Sequence, residues 1–464
     1  MFSKIIALIL AFVTGFFSYP LSFLPKNIDT SFHTAIGSML TFNGDYAEAT
    51  VDGKVLNSTE IVLNKKVTID LGTKLTDWFN YFTLAYSTDA YIKGEICYKT
   101  GVTDKSEEFF LEPAENGSFS SFIDNCLGGT KADGIYSISF EPLNVDSATI
   151  KVHGLSTFNR EIPDREVYIE ADGYKIGVDM LWGGALSYLE DTNSDVEAVN
   201  VDGRVYVDKN ASEIYGKKAF SKNVNLINRY DPGRLVQQSY YGTGDCDQYT
   251  GGVFMDNKWN YNPVQGGNQF GESSKIVDLR CNENSIYIKC RPLDWSLSKE
   301  NITPSYMEAT YTIANGAVHV ECRYVDFSGY PVAHTSQEIS AFYCIEPFNR
   351  FVYANGGEIK SEPDLIFWPD AGYPKFFSDE NWSAFVGQGE NSFGIGVYVE
   401  GEKEFLSGVY DRGGDLGKDP SKGGPTSYIA VIKWRESTSY DPYTYDYYLA
   451  TGDTNEIRAT FNAL

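Results

Sequence analysis

Positive charge is scarce in this 464-residue chain. Its 38 Lys and Arg face 63 Asp and Glu, giving a formal net charge of −25 and a pI near 4.6. Nucleic-acid binding needs clustered cations, so a phosphate-backbone partner is excluded. The same field repels polyuronates at long range. Histidine is scarcer still, at four, and neither a C-x-x-C nor an H-x-x-x-H spacing proposes zinc. The glycine-rich stretch Gly413–Pro425 lacks the Gly-Lys-Ser/Thr ending of a phosphate loop and reads as a rim loop. Asp411, Asp415 and Asp419 lack the EF-hand spacing and its closing Glu. No cofactor is required on this reading, and a structural calcium stays open. There is no fixed-period repeat and no βαβ alternation, which excludes barrel and dinucleotide-binding layouts.

What is abundant points one way. A 42% hydrophobic and 15% aromatic content supplies packed cores for two or three domains. With 33 Tyr, 29 Phe and 43 Gly it favours an all-β chain. Strand-like runs recur from Val67–Leu71 to Tyr445–Ala450, separated by Gly, Asn, Asp and Pro clusters. In Val318–Phe327, Val318, Val320, Cys322 and Tyr324 share one face while His319, Glu321 and Arg323 share the other, the pattern of a half-exposed antiparallel strand. One short helix is expected around Phe119–Leu127, between serines and a Gly-Gly stop. Seven cysteines permit disulfides, with Cys97 and Cys126 the N-terminal pair to suspect. Lys4 followed by the apolar run Ile5–Phe17 has the form of an export signal, so residues 1–20 are expected to direct the chain to secretion or the cell surface. Leu21–Leu24 prolong the run towards ~20 residues, so an uncleaved membrane anchor is the alternative.

TFNREIPDR marks a boundary near Thr157–Arg165. Residues 41–160 have the size of a β-sandwich, and residues 166–464 need a larger sheet pair. The string GGALSYLED followed by NLINRYDPGR resembles the opening of galactose-mutarotase-like proteins. That resemblance covers residues 166–464 and implies a large antiparallel β-supersandwich, as in aldose epimerases and in domains of glycosidases and polysaccharide lyases. The histidine motif of the epimerases is absent, which counts against mutarotation. YFTLAYSTDAYIKGEICY and EEFFLEP resemble the β-sandwich of carbohydrate-binding modules.

Between Asn225 and Tyr311 polar residues cluster among aromatics, in NLINRYDPGRLVQQSYYG, WNYNPVQGGNQF, KCRPLDW and SYMEATY. A sugar needs this mixture, because its hydroxyls take hydrogen bonds while its C–H face stacks on rings. Glycoside cleavage requires two carboxylates, ~5 Å or ~6.5–9.5 Å apart according to stereochemistry. Asp231, Asp294, Glu308 and Glu338 lie in such clusters, and two of Asp231, Glu308 and Glu338 are expected to act as acid and base. Asp231-Pro232-Gly233 also makes a turn that the Asp side chain caps. His334, four residues before Glu338, is the histidine placed to pair with a carboxylate.

Arg234, Gln238 and Gln265 are expected to orient hydroxyls, Arg234 through forked donors, although a structural Arg234–Asp231 bridge fits equally. Trp259 and Trp295 are expected to stack on the substrate. Tyr240, Tyr241, Tyr306, Asn262, Gln265, Arg291 and His334 could instead serve β-elimination on a uronate. The expectation is therefore an exported protein that acts on a poly- or oligosaccharide by glycoside hydrolysis. A polysaccharide lyase and a non-catalytic glycan-binding protein are the alternatives.

Overall fold

The computed structural model describes residues 60–71, 78–193, 224–242, 252–298, 302–363, 365, 374–387, 392–411 and 419–464 in full. It also gives the backbone of strands at 29–31, 35–36, 39–42, 45–51, 54–55, 198–201, 204–207 and 367–368. The leader at residues 1–20, Cys246 and Asp415 lie outside the described residues. The protein is all-β and divides into two units, Met1–Pro163 with Ile276–Asn282, and Asp164–Lys275 with Glu283–Leu464.

The first unit is a pair of antiparallel sheets. One has Tyr81–Thr88 between Ala148–Asn159 and Ala114–Phe122; the other runs Thr103–Leu111, Ile92–Thr100, Gly134–Pro142, Val67–Leu71. Alternation in Ile92–Thr100 turns Ile92, Gly94, Ile96 and Tyr98 inward. Phe82 and Phe119 of one sheet meet Phe109 of the other at ring separations of 6.0 and 5.1 Å. Arg160 is buried with Asp278 at 3.1 Å, and the Tyr81 hydroxyl donates to the same carboxylate oxygen at 2.7 Å.

Two sequence expectations are corrected in this unit. Phe119–Leu127 is not a helix: residues through Phe122 complete a strand, because Phe119 and Phe122 have sheet partners and a core to enter. The capping signals serve a three-residue 3-10 turn, Cys126–Gly128, with Asn125 accepting from the Leu127 N–H and Gly129 left-handed. Cys97 and Cys126 are free thiols. Cys126 is buried in that turn, and burial pushes its thiol up to about 12.

In the second unit an antiparallel sheet runs Ser285–Arg291, Ser305–Ala314, Ala317–Asp326, Tyr443–Gly452, Gly394–Tyr398, Trp382–Val386, Arg350–Asn355, Glu358–Glu362. A second sheet pairs Ala333–Ile345 with Thr426–Ser437 and that strand with Glu404–Tyr410, to which Lys375–Phe377 adds. Phe376 of the second sheet meets Phe351 of the first at 4.7 Å, so the two sheets bury their facing sides against each other. The helix Thr454–Asn462 covers Trp382 with Ile457 and Phe461. Trp382 is fully buried, and removing such a side chain costs ~3–5 kcal/mol. The opposite side of the second sheet carries Tyr343, Glu338 and Tyr428 away from this core.

Candidate functional site

Segments 224–242 and 259–274 have little regular structure, and side-chain amides satisfy the backbone groups that a ladder would otherwise pair. Gln237 accepts from the Gly266 N–H at 2.7 Å and donates to the Pro232 carbonyl. Gln238 donates to the Glu308 carbonyl at 2.7 Å, and its N–H donates to Gln265 Oε1. Gln265 also donates to the Gly183 carbonyl. Gly183 has a φ of 60°, and a Cβ there would collide with the Gln265 carbonyl oxygen. Asn262 donates to Ser239 and to the Tyr240 carbonyl, and accepts from the Trp259 indole N–H at 3.0 Å. Gln238, Gln265 and Asn262 are therefore committed to holding the loops.

What those loops hold is a closed circuit of side chains beside the second sheet. Arg234 Nε lies 3.0 Å from Asp231, and its guanidinium donates to the Gly424 carbonyl at 2.5 Å. The same guanidinium sits 4.8, 5.1 and 5.8 Å from the rings of Tyr230, Tyr410 and Tyr343. Tyr343 packs at 4.6 Å on Tyr428, whose hydroxyl donates to Glu338 at 2.6 Å. The Tyr241 hydroxyl donates to the same carboxylate oxygen at 3.4 Å. Tyr241 adjoins Trp259 at 6.2 Å, Trp259 adjoins Phe254 at 5.1 Å, and Phe254 adjoins Trp295 at 5.6 Å. Trp295 in turn covers Gly233, next to Asp231, which closes the circuit. Tyr343, Tyr410, Tyr241, Trp259, Phe254 and Trp295 are all only half-buried.

Burial pushes the half-buried Glu338 carboxyl above its ordinary 4.5, although the Tyr428 and Tyr241 hydroxyls oppose the shift. Burial also raises Asp231, against Arg234 and the Gly233 N–H. Two acids are thus displaced upward in one circuit, one accepting from phenols and one paired with a guanidinium. Beside Glu338 the strand carries a bulge between Ile339 and Phe342, with Ser340 left-handed at φ 51°. The Ser340 hydroxyl is buried without a partner. Bulges next to sites re-aim side chains, and a strained non-glycine backbone marks such places.

Of the residues singled out from sequence, the structure thus brings together Asp231, Arg234, Tyr241, Trp259, Trp295 and Glu338. Asp231 also caps its turn and pairs with Arg234, the bridge that fitted equally. Other candidates lie elsewhere. Glu308 binds Arg323 at 3.1 Å, Lys289 at 3.4 Å and the Tyr287 hydroxyl at 2.8 Å. Lys289 and Arg323 hold its carboxyl below the ordinary value despite burial. Tyr306 and Arg291 share that sheet face, Tyr306 under the Lys289 ammonium at 4.3 Å and Arg291 donating to the Thr303 carbonyl. His334 is exposed and meets Glu436 at 2.9 Å. Tyr240 stacks on Tyr324 at 4.0 Å in the interior. Asp294 is buried, accepting from the Asn262 N–H and from Ser296.

Tyr230, Phe254, Tyr343, Tyr410 and Tyr428 complete the circuit and were not distinguished in sequence, where tyrosine is too common to signal anything. Among the described residues no group of three or more His, Cys, Asp or Glu is arranged to hold a metal ion, and no helix is long and apolar enough to cross a membrane.

No family model and no curated protein matches this chain in sequence. Solved structures do resemble it. A protein assigned as an aldose 1-epimerase from Escherichia coli K12 matches 62% of this chain and 99% of its own at 8% identity and a TM-score of 0.38. A galactose mutarotase related enzyme from Lactobacillus acidophilus matches 63% of this chain and 99% of its own at 8% identity, with a TM-score of 0.33. A GH36 α-galactosidase from Geobacillus stearothermophilus matches 63% of this chain and 41% of its own at 10% identity, with a TM-score of 0.32. No residue role follows from likenesses of this degree.

Proposed function

We propose that the second unit hydrolyses a glycosidic bond in an oligo- or polysaccharide. The observation that carries this is the circuit itself: an upward-shifted Glu338 and an Asp231–Arg234 pair set among half-buried Tyr and Trp rings. A sugar seated there stacks its C–H face on Trp259, Trp295 or Tyr343 and takes donors from Arg234. Glu338, whose carboxyl burial shifts towards the protonated form, gives its proton to the glycosidic oxygen as the bond to the anomeric carbon breaks. Asp231 supplies the negative charge that faces the developing oxocarbenium ion, and water completes the hydrolysis. Export through residues 1–20 belongs to the same proposal.

Glu338→Gln and Asp231→Asn, assayed for reducing-end release on a glycan panel, test this reading. Both variants should lose turnover while keeping affinity; full turnover in both would reject the assignment. Non-catalytic glycan binding is the second reading, favoured by one fact: Asp231 is already engaged by Arg234 and the Gly233 N–H. It predicts glycan affinity in the wild type with no reducing ends released.

A further inference from the structure

The outer side of the second sheet continues well past Glu338. Tyr428, Ala430 and Ile432 form one apolar strip with Ala341, Tyr343 and Leu406. Register sets Glu338 opposite Ile432, Ser336 opposite Trp434 and His334 opposite Glu436. On the other flank Glu404 lies opposite both Ile432 and Phe377. Paired residues share a face, so the strip that begins at Tyr343 and Tyr428 ends at Trp434 and Phe377.

These two rings are 64% and 58% exposed, although both sit on regular strands. Apolar surface left in water on an ordered strand is the feature that asks for a ligand. Two polar contacts bracket it: His334 meets Glu436 at 2.9 Å, and Lys375 pairs with Glu404. The Lys375 ammonium lies 5.7 Å from the centre of the Trp434 ring. The patch therefore combines aromatic faces with hydrogen-bond donors and acceptors. A neutral ring with an apolar C–H face and a rim of hydroxyls fits that chemistry.

Tyr428 and Trp434 are six residues apart on one strand, or ~20 Å. That is several sugar units, so a disaccharide seated at Tyr343 and Tyr428 stops short of Trp434, and only a chain that continues past Glu338, opposite Ile432, arrives there. We infer that Trp434 and Phe377 form a distal subsite for the same glycan that enters the Glu338 circuit, so that the ligand is an extended neutral oligo- or polysaccharide. This rests on the circuit being a glycan site.

The test is calorimetric titration of the full chain carrying Glu338→Gln, which should suppress turnover, with and without Trp434→Ala. The probes are neutral gluco-, galacto- and manno-oligosaccharides from disaccharide to octasaccharide. Expected is a gain in affinity of about tenfold from disaccharide to octasaccharide within the series bound, one stacked ring's worth. Trp434→Ala should erase that gain and leave the disaccharide within about twofold, and Trp434→Phe should restore most of it. Because Trp434 is exposed, its loss should not unfold the sheet. Affinity independent of chain length, or a gain that survives Trp434→Ala, overturns the distal subsite while disaccharide binding upholds the circuit. Binding of no series at all overturns the circuit as a glycan site and the subsite with it.

Discussion

Replacing Arg234 by Met should destabilise the second unit by about 3 kcal/mol, from terms the structure supplies. The charge-assisted hydrogen bond to the Gly424 carbonyl contributes ~1.5–3 kcal/mol. The ion pair with Asp231 adds ~1 kcal/mol at most, because the Asp231 side chain is 38% exposed and solvent screens it. Three aromatic faces at 4.8–5.8 Å add ~0.5–1 kcal/mol each. A Met side chain keeps the packing of the stem and recovers ~1–2 kcal/mol on the same rings.

Six of the seven tryptophans lie in the second unit, so intrinsic fluorescence during denaturation in urea follows it. The midpoint should fall with the slope unchanged. The deficit should also depend on pH. Burial raises Asp231 while Arg234 opposes the rise, so losing Arg234 lifts that pKa further. A carboxyl raised in the folded state is most stabilising when protonated and loses that contribution as pH climbs through its folded value. The gap between variant and wild type should therefore widen from about pH 4 towards pH 7. A loss below about 1 kcal/mol that is flat with pH would refute Arg234 as the anchor of the circuit.

Glu338→Gln should lower kcat by ~10²–10⁴-fold. In the wild type kcat/KM should fall on its alkaline limb with an inflection above the ordinary 4.5, because burial raises that carboxyl; an inflection at or below 4.5 would count against Glu338 as the acid. Glu308→Gln removes the carboxylate shared by Lys289 and Arg323 and should cost ~2 kcal/mol near neutral pH. Its folded pKa is lowered, so its contribution is present above 4.5 and fades as pH falls through the lowered value, and the two unfolding midpoints should converge in acid. Ser340→Gly should raise the stability by ~1 kcal/mol and the midpoint with it, since glycine takes a φ of 51° without a Cβ and removes a buried, unpartnered hydroxyl; a lowered midpoint would show that the bulge is not strained by its side chain.

Period-2 patterning was enough to read the strands, as Val67–Leu71 and the alternation of Val318, Val320, Cys322 and Tyr324 illustrate. It failed where local signals compete with packing. The serines and glycines around Phe119–Leu127 look like helix caps, yet the phenylalanines have a core to enter, and the caps end up on a single 3-10 turn. Conversely, the helix Thr454–Asn462 announces itself through an Asp453–Glu456 capping box that strand-dominated patterning obscured.

At the site, Asp231, Arg234, Trp259 and Trp295 were legible because each breaks an apolar pattern. Gln238, Gln265 and Asn262 break it too, but to serve the backbone of irregular loops, a purpose that composition cannot separate from ligand binding. Tyr343 and Tyr428 were invisible for the opposite reason, since strand tyrosines are ordinary in this chain and only the folded sheet pairs them with each other and brings the Tyr428 hydroxyl to Glu338. Glu308 and Glu338 look alike in sequence; their folded neighbours, cations on the two adjacent strands in one case and a strand phenol with a loop phenol in the other, separate a held anion from a raised acid.

A circuit from Arg234 through Glu338 to Trp295 that encloses a sugar should be visible in a crystal structure of the Glu338→Gln variant with a neutral oligosaccharide. One sugar ring is expected against Trp259, Trp295 or Tyr343, with a glycosidic oxygen within hydrogen-bonding reach of the side chain at position 338 and a hydroxyl on Arg234. Density for the oligosaccharide elsewhere on the chain, with the circuit unchanged, would contradict it.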